Sequence, residues 1–308
     1  MEKIIGMINA PFTAFNEDGS INLDVVPSYA ATLIENGVTG VFVNGSSGEG
    51  HLLSDEERMA CAKKWVESTP DDFKVIIHVG NNSIATAKKL AQHAKEIGAW
   101  GFSVMGPTFP AIGRVQELAD YCAEIAEVAP QMPFYYYHIP AFTGVYLPMR
   151  DLLEAVDGRI ENFAGIKYTY ESLYEYTQCR RYKDGKYDIL HGQDETVLPS
   201  LAFGGATGCI GGTFNYAAPL YVAIRQAWEA GEIEKARELQ YKSLDLIDVI
   251  CNYRGNIVGG KQIMKVLGLD LGPNRTPFQN LSAEEYSAMS KELEAINFAE
   301  FGCKIVHA

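Results

Sequence analysis

Cys-x-x-Cys pairs are missing from this sequence. Its six cysteines, Cys61, Cys122, Cys179, Cys209, Cys251 and Cys303, are scattered, and no His lies near them at metal-ligand spacing. That counts against a metal site built on thiolates and fits free, buried thiols in a reducing cytoplasm. Positive charge is also scarce, with 26 Lys and Arg against 39 Asp and Glu and a formal net charge of −13. Nucleic acid and anionic membrane reward clustered cations, so neither is expected as a partner. No apolar run reaches membrane-spanning length, and residues 1–6 lack a basic segment followed by a long apolar stretch. A membrane span and a secretory leader are therefore not expected. Ser- or Gly-rich linkers, low-complexity tracts and charge blocks are absent as well. A cytoplasmic protein acting on small molecules is the class that remains.

At 308 residues and 47% hydrophobic content, the chain can bury a large core in one big domain or two ordinary ones. Short apolar runs recur at residues 4–12, 38–45, 74–80, 101–106, 133–139, 163–169, 187–192 and 207–213. Segments with helical spacing of apolar residues separate them, as at 55–67, 84–97, 115–128 and 147–156. Eight such alternations predict an α/β fold of the (β/α)8, or TIM barrel, type. The runs are rich in Val, Ile, Phe and Gly and nearly uncharged, as a parallel sheet covered on both faces requires. A doubly wound sheet would call for G-x-G-x-x-G after the first strand, and none is there. From residue 233 the pattern is helical only, at 233–251, 259–267 and 282–296, broken by Gly272-Pro273-Asn274 and Thr276-Pro277. The expected division is a barrel over 1–231 and a C-terminal helical extension over 232–308, packed on the barrel.

Lys167 stands out because Ala164-Gly165-Ile166-Lys167-Tyr168-Thr169 otherwise reads as a buried strand. An amine in apolar surroundings gives up its proton and becomes a nucleophile toward ketones. Working near pH 7 requires roughly three units of depression, about 4 kcal/mol, which burial can supply. The structural alternative is a Lys that snorkels to solvent. Tyr137 lies near the end of the preceding run, and strand alternation gives it the face of Tyr135 while sending His138 toward the outer helices. Adjacent parallel strands about 4.8 Å apart let amine and phenol meet. The alternative for Tyr137 is an aromatic that fills the barrel.

Three further segments sit where barrel active sites form, at the C-terminal ends of strands. Asn44-Gly45-Ser46-Ser47-Gly48-Glu49-Gly50 offers hydroxyls and backbone N–H groups to a small anion such as a carboxylate. It also reads as an ordinary strand-to-helix turn. The Gly-rich run 204–212 lacks the Lys or Arg that would favour phosphate. His191-Gly192-Gln193-Asp194-Glu195 places two carboxylates where they can accept bonds from sugar hydroxyls, and Asp194 can equally cap the following helix. No His or Cys completes a metal site around them.

Gly45-Ser46-Ser47-Gly48-Glu49, Tyr137-His138-Ile139-Pro140, Gly165-Ile166-Lys167 and Gly208-Cys209-Ile210-Gly211 occur in an order and spacing that resemble a known family. It is the pyruvate-dependent class I aldolases that include dihydrodipicolinate synthase and N-acetylneuraminate lyase. The resemblance covers the barrel and the helical tail. It implies that Lys167 forms an imine, that Tyr137 moves protons and that Ser46 and Ser47 hold the pyruvate carboxylate. The lyase branch looks closest, through Val43-Asn44-Gly45 and the run from Tyr135 to Gly144. That branch implies that Thr169, Gly192, Asp194 and Glu195 contact a polyhydroxy sugar, with Ile210 and Gly212 completing the substrate-binding set. It further implies cleavage of N-acetylneuraminate to N-acetylmannosamine and pyruvate with no metal or organic cofactor, in a homotetramer. The alternatives are another pyruvate-dependent aldolase or synthase, or a non-catalytic sugar-acid binding barrel. One position separates the branches and two depart from the family pattern. Phe142 stands where the synthases carry an Arg for a distal carboxylate, Phe109 where some members lend a Tyr to a neighbouring subunit, and Gly212 where the lyases usually have a Ser for the glycerol tail.

Overall fold

The computed structural model describes residues 2–306. Its strands are β1 (Gly6–Asn9), β2 (Val38–Val43), β3 (Lys74–His78), β4 (Gly101–Met105), β5 (Phe134–His138), β6 (Phe163–Tyr168), β7 (Asp188–His191) and β8 (Gly208–Gly211). They pair in sequence order, all parallel, and β8 returns to β1 to close the barrel. Around it run α1 (Val26–Glu35), α2 (Asp55–Glu67), α3 (Ile84–Glu96), α4 (Val115–Ala126), α5 (Pro140–Thr143), α6 (Met149–Val156), α7 (Leu173–Arg180), α8 (Val197–Gly204) and α9 (Phe214–Glu229). Then come α10 (Ile233–Asn252), α11 (Lys261–Leu267) and α12 (Ala283–Ala295). No helix among the described residues is long and apolar enough to cross a membrane.

Strand alternation divides the core in two. Phe42, Ile76, Tyr135, Tyr137, Leu190 and Ile210 point into the barrel, while Val41, Val104, Phe134, Tyr136, Ile166 and Tyr168 pack under the helices. The floor of the barrel is tied by Asp188, whose Oδ2 accepts from Ile4 N at 3.0 Å and Tyr135 Oη at 3.1 Å. Gly165 lets β6 and β7 approach, because a Cβ there would lie 1.7 Å from the Asp188 carbonyl oxygen. Ser54 and Glu57 form a capping box that starts α2, and Ser282 and Glu285 do the same for α12.

The C-terminal helices lie against the barrel. α10 packs along α9, and two polar struts run from the tail to the loop and helix after β2. Lys261 Nζ donates to Glu49 Oε1 at 3.2 Å, with both side chains inaccessible to solvent. Arg275 grips both Glu57 oxygens, at 2.6 and 2.7 Å. Replacing one partner of the buried pair strands the other, at a cost of about 3–5 kcal/mol.

Candidate active site

Lys167 and Tyr137 are register partners on β6 and β5. Both point into the barrel near the C-terminal ends of their strands. Lys167 is 3% exposed, and its Nζ lies 4.1 Å from the centre of the Tyr137 ring and 4.2 Å from that of Phe42. Burial lowers its pKa to about 7, with the charge of Asp194 acting in the opposite direction. A large fraction of the amine is therefore uncharged at neutral pH. Once such an amine becomes a protonated imine, the two ring faces favour its positive charge.

Tyr137 Oη is 3.0 Å from Ser46 Oγ. Burial pushes the phenol up to about 12, although the Ser46 hydrogen bond pulls it down, so Tyr137 holds its proton in the free protein. A cation on Lys167 reverses that balance by favouring phenolate, and this couples proton transfer at Tyr137 to charge at Lys167. His138, the next residue, sits behind the sheet against Tyr168 and Tyr170, with ring centres 5.2 and 5.6 Å away. Burial lowers it to about 3, so it stays neutral and takes no part in exchange at neutral pH.

Ser46 and Ser47 ride on the turn after β2. Asn44 and Glu49 within it adopt positive φ of 61° and 53°, a conformation held by tertiary bonds. Asn44 Nδ2 donates to Arg58 O at 2.9 Å, and Thr13 Oγ1 donates to Gly48 O at 2.6 Å. Glu49 turns away from the cleft to Lys261, Asn274 Nδ2 at 3.2 Å and Arg275 N at 2.8 Å. The motif glutamate thus anchors the serine turn to the tail. Sequence reasoning gave it no role, because its partners lie more than 200 residues away.

Asp194 corrects one of two expectations held for it. It opens a short 3-10 turn, Asp194–Thr196, yet its side chain does not cap the following helix. Its buried Oδ2 instead accepts from Thr213 N at 2.8 Å and Thr213 Oγ1 at 2.7 Å, across the end of β8. Burial raises its pKa, while the Thr213 bonds and the nearby Lys167 oppose the rise. Glu195 beside it is exposed at the rim. Thr169 and Gly192 meet at the ends of β6 and β7, where a Cβ on Gly192 would lie 2.1 Å from Thr169 Oγ1. Ile210 lines the barrel below, and Asn215 Nδ2 holds the Gly212 carbonyl at 2.6 Å.

One cleft of about 580 Å³ gathers the ten residues expected from sequence to act on or bind substrate: Ser46, Ser47, Tyr137, Lys167, Thr169 and Gly192, together with Asp194, Glu195, Ile210 and Gly212. Phe142 lines its mouth and is 59% exposed. Phe109 is 81% exposed and does not line the cleft. The tail adds Arg254, Asn256 and Phe278, which no local sequence signal marked as site residues. Arg254 is occupied by Glu285 at 2.7 and 3.1 Å. Among the described residues no three His, Cys, Asp or Glu side chains converge as a metal site.

Solved structures of similar shape include "Proteus mirabilis N-acetylneuraminate lyase", with a TM-score of 0.93 and 38% identity over 96% of this chain and 100% of that one. The N-acetylneuraminate lyase (sialic acid aldolase) from Aliivibrio salmonicida has a TM-score of 0.93 and 37% identity, covering 97% and 98%. The N-acetylneuraminate lyase of Homo sapiens is 36% identical over 304 residues, 97% of this chain and 95% of that one. Residues 3–296 match the dihydrodipicolinate synthetase family as a whole. With its closed barrel, buried lysine and facing tyrosine, and this match along nearly its full length, the chain belongs to the dihydrodipicolinate synthetase family.

Proposed function

We propose that the protein is a class I aldolase that reversibly cleaves N-acetylneuraminate to N-acetylmannosamine and pyruvate through a Schiff base on Lys167. The observation that carries this reading is the Lys167 amine, buried, lowered to about 7 and 4.1 Å from the ring of Tyr137. Neutral Nζ attacks the C2 ketone of the open-chain sugar acid. Tyr137 gives its proton to the departing hydroxyl, which leaves as water, and the iminium and phenolate form together. Ser46 Oγ donates to the phenolate, while the Ser46 backbone N–H and Ser47 hold the C1 carboxylate. The C3–C4 electrons then flow into the iminium as phenolate takes the C4 hydroxyl proton, and N-acetylmannosamine leaves. Tyr137 returns that proton to C3 of the enamine, and hydrolysis of the imine frees pyruvate. Thr169, Gly192, Asp194 and Glu195 face the polyol, with Ile210 and Gly212 closing the β8 side.

The names of the similar lyases and the lining of the cleft support the sugar acid over a dicarboxylate. Position 142 is Phe rather than a cation, and Arg254 is already paired with Glu285. A barrel over 1–231 with a helical extension over 232–308, a cytoplasmic location and a homotetrameric assembly belong to the same reading. Incubating the purified protein with N-acetylneuraminate tests it. Pyruvate and N-acetylmannosamine should appear in equal amounts, and the absence of pyruvate would overturn it.

A further inference from the structure

Gly212 lacks the side chain that the family pattern leads one to expect beside the polyol, and the space is not empty. A Cβ on Gly212 would lie 2.3 Å from Asn256 Nδ2 and 3.0 Å from Ser47 Oγ. A second glycine opens the other side, since a Cβ on Gly260 would lie 2.5 Å from Asn256 Oδ1 and 3.0 Å from the Tyr216 ring. One amide is therefore cradled between two glycines, one from the barrel and one from the tail.

Its orientation is fixed by two bonds. Tyr216, fully buried, donates to Asn256 Oδ1 at 2.8 Å, and Asn256 Nδ2 donates to Ser47 Oγ at 3.2 Å. An amide nitrogen carries two hydrogens, and the second finds no acceptor among the described residues. Nδ2 lies over Gly212 in the cleft lining. The backbone that delivers Asn256 is unusual. Arg254 and Gly255 have φ of 64° and 74°, and Asn256–Gly260 is a single π turn leading into α11. Such turns re-aim a side chain at the expense of regular helix bonding.

We propose that Asn256 is a specificity-determining residue, donating its free amide N–H to a hydroxyl of the substrate's polyol tail from the space that a side chain at position 212 would otherwise fill. This rests on the sugar-acid aldolase reading above. Gly212 and Asn256 are then one functional unit. A side chain at 212 must push the amide away, whereas the same side chain is tolerated once the amide is gone.

The test is a cycle of Asn256→Ala, Gly212→Ser and the double variant, assayed in the condensing direction with pyruvate. The readout is the ratio of kcat/KM for N-acetylmannosamine to that for glyceraldehyde, whose short chain cannot reach Asn256. The ratio cancels changes transmitted through Ser47 to pyruvate, which affect both aldehydes alike. Loss of one hydrogen bond should lower the ratio about tenfold in Asn256→Ala. Gly212→Ser should lower it at least as much, and the double variant should return it to within about threefold of wild type, because the new hydroxyl then occupies the vacated space. Borohydride trapping of pyruvate on Lys167 reports that each variant is folded, and if Gly212→Ser is not, Asn256→Ala decides alone. An unchanged ratio in Asn256→Ala, or equal losses from Gly212→Ser in both backgrounds, overturns this inference alone. A wild-type protein that traps pyruvate yet condenses it with neither aldehyde overturns the parent reading, and this inference with it.

Discussion

Replacing Lys167 by Met should make the protein more stable, and by an amount that depends on pH. The amine has an ordinary value of 10.5 and a folded value of about 7. Below pH 7 it is charged in both states, and the folded protein bears the whole cost of a buried cation. Between pH 7 and 10.5 the unfolded chain binds a proton that the folded one does not, so stability rises with pH across that window. Above 10.5 the cost is gone. Integrating between the two values puts it at about 4 kcal/mol at pH 7 and about 2 kcal/mol at pH 9. Met has a similar length and no charge, and at 3% exposure little solvent screening reduces the effect. Below pH 7 the gain is trimmed by Asp194, which loses a nearby cation but keeps both Thr213 bonds. Denaturant unfolding of wild type and Lys167→Met at pH 6, 7, 8 and 9, at one protein concentration, measures the difference. The variant should be more stable throughout, with the gain roughly halving from pH 7 to 9. A variant less stable at pH 6–7, or one with a constant gain, would refute a depressed Lys167.

Other consequences can be checked alongside. The kcat/KM for N-acetylneuraminate should rise with pH to a plateau above about 7, since only neutral Lys167 attacks, and a profile flat from pH 5.5 to 8 would contradict this. Tyr137→Phe should lower kcat about 10²- to 10⁴-fold while pyruvate still binds, and equal loss of both would make Tyr137 a packing residue. Glu49→Gln leaves Lys261 buried without its counter-charge, so it should destabilise the fold by about 3 kcal/mol or more and raise the KM for pyruvate by loosening the serine turn; an unchanged melting temperature would sink that account.

Chemistry written into one strand was legible from the sequence. Lys167 was conspicuous because charge in a covered parallel strand is costly, and alternation then fixed which of Tyr137 and His138 met it. α2 was readable because its apolar residues keep helical spacing over 55–67, the span that the helix adopts. Strand ends were less sharp. Residues 10–12 continue the apolar run of β1 and stay buried, yet Asn9 is the last in the ladder. Contacts between distant segments were hidden. Asp194 resembled a helix cap by local rules, while its partner Thr213 lies 19 residues on. The struts at Glu49 and the amide of Asn256 depend on how the tail folds back over the barrel, which no spacing rule encodes.

The central claim is that Lys167 forms a covalent imine with a keto acid. Reducing the protein with borohydride in the presence of pyruvate, then mapping peptides by mass spectrometry, tests it most directly. An N-carboxyethyl group on Lys167, with activity lost in proportion to its formation, is the expected result. An unmodified Lys167 in inactivated protein, or the adduct on another lysine, would contradict the account.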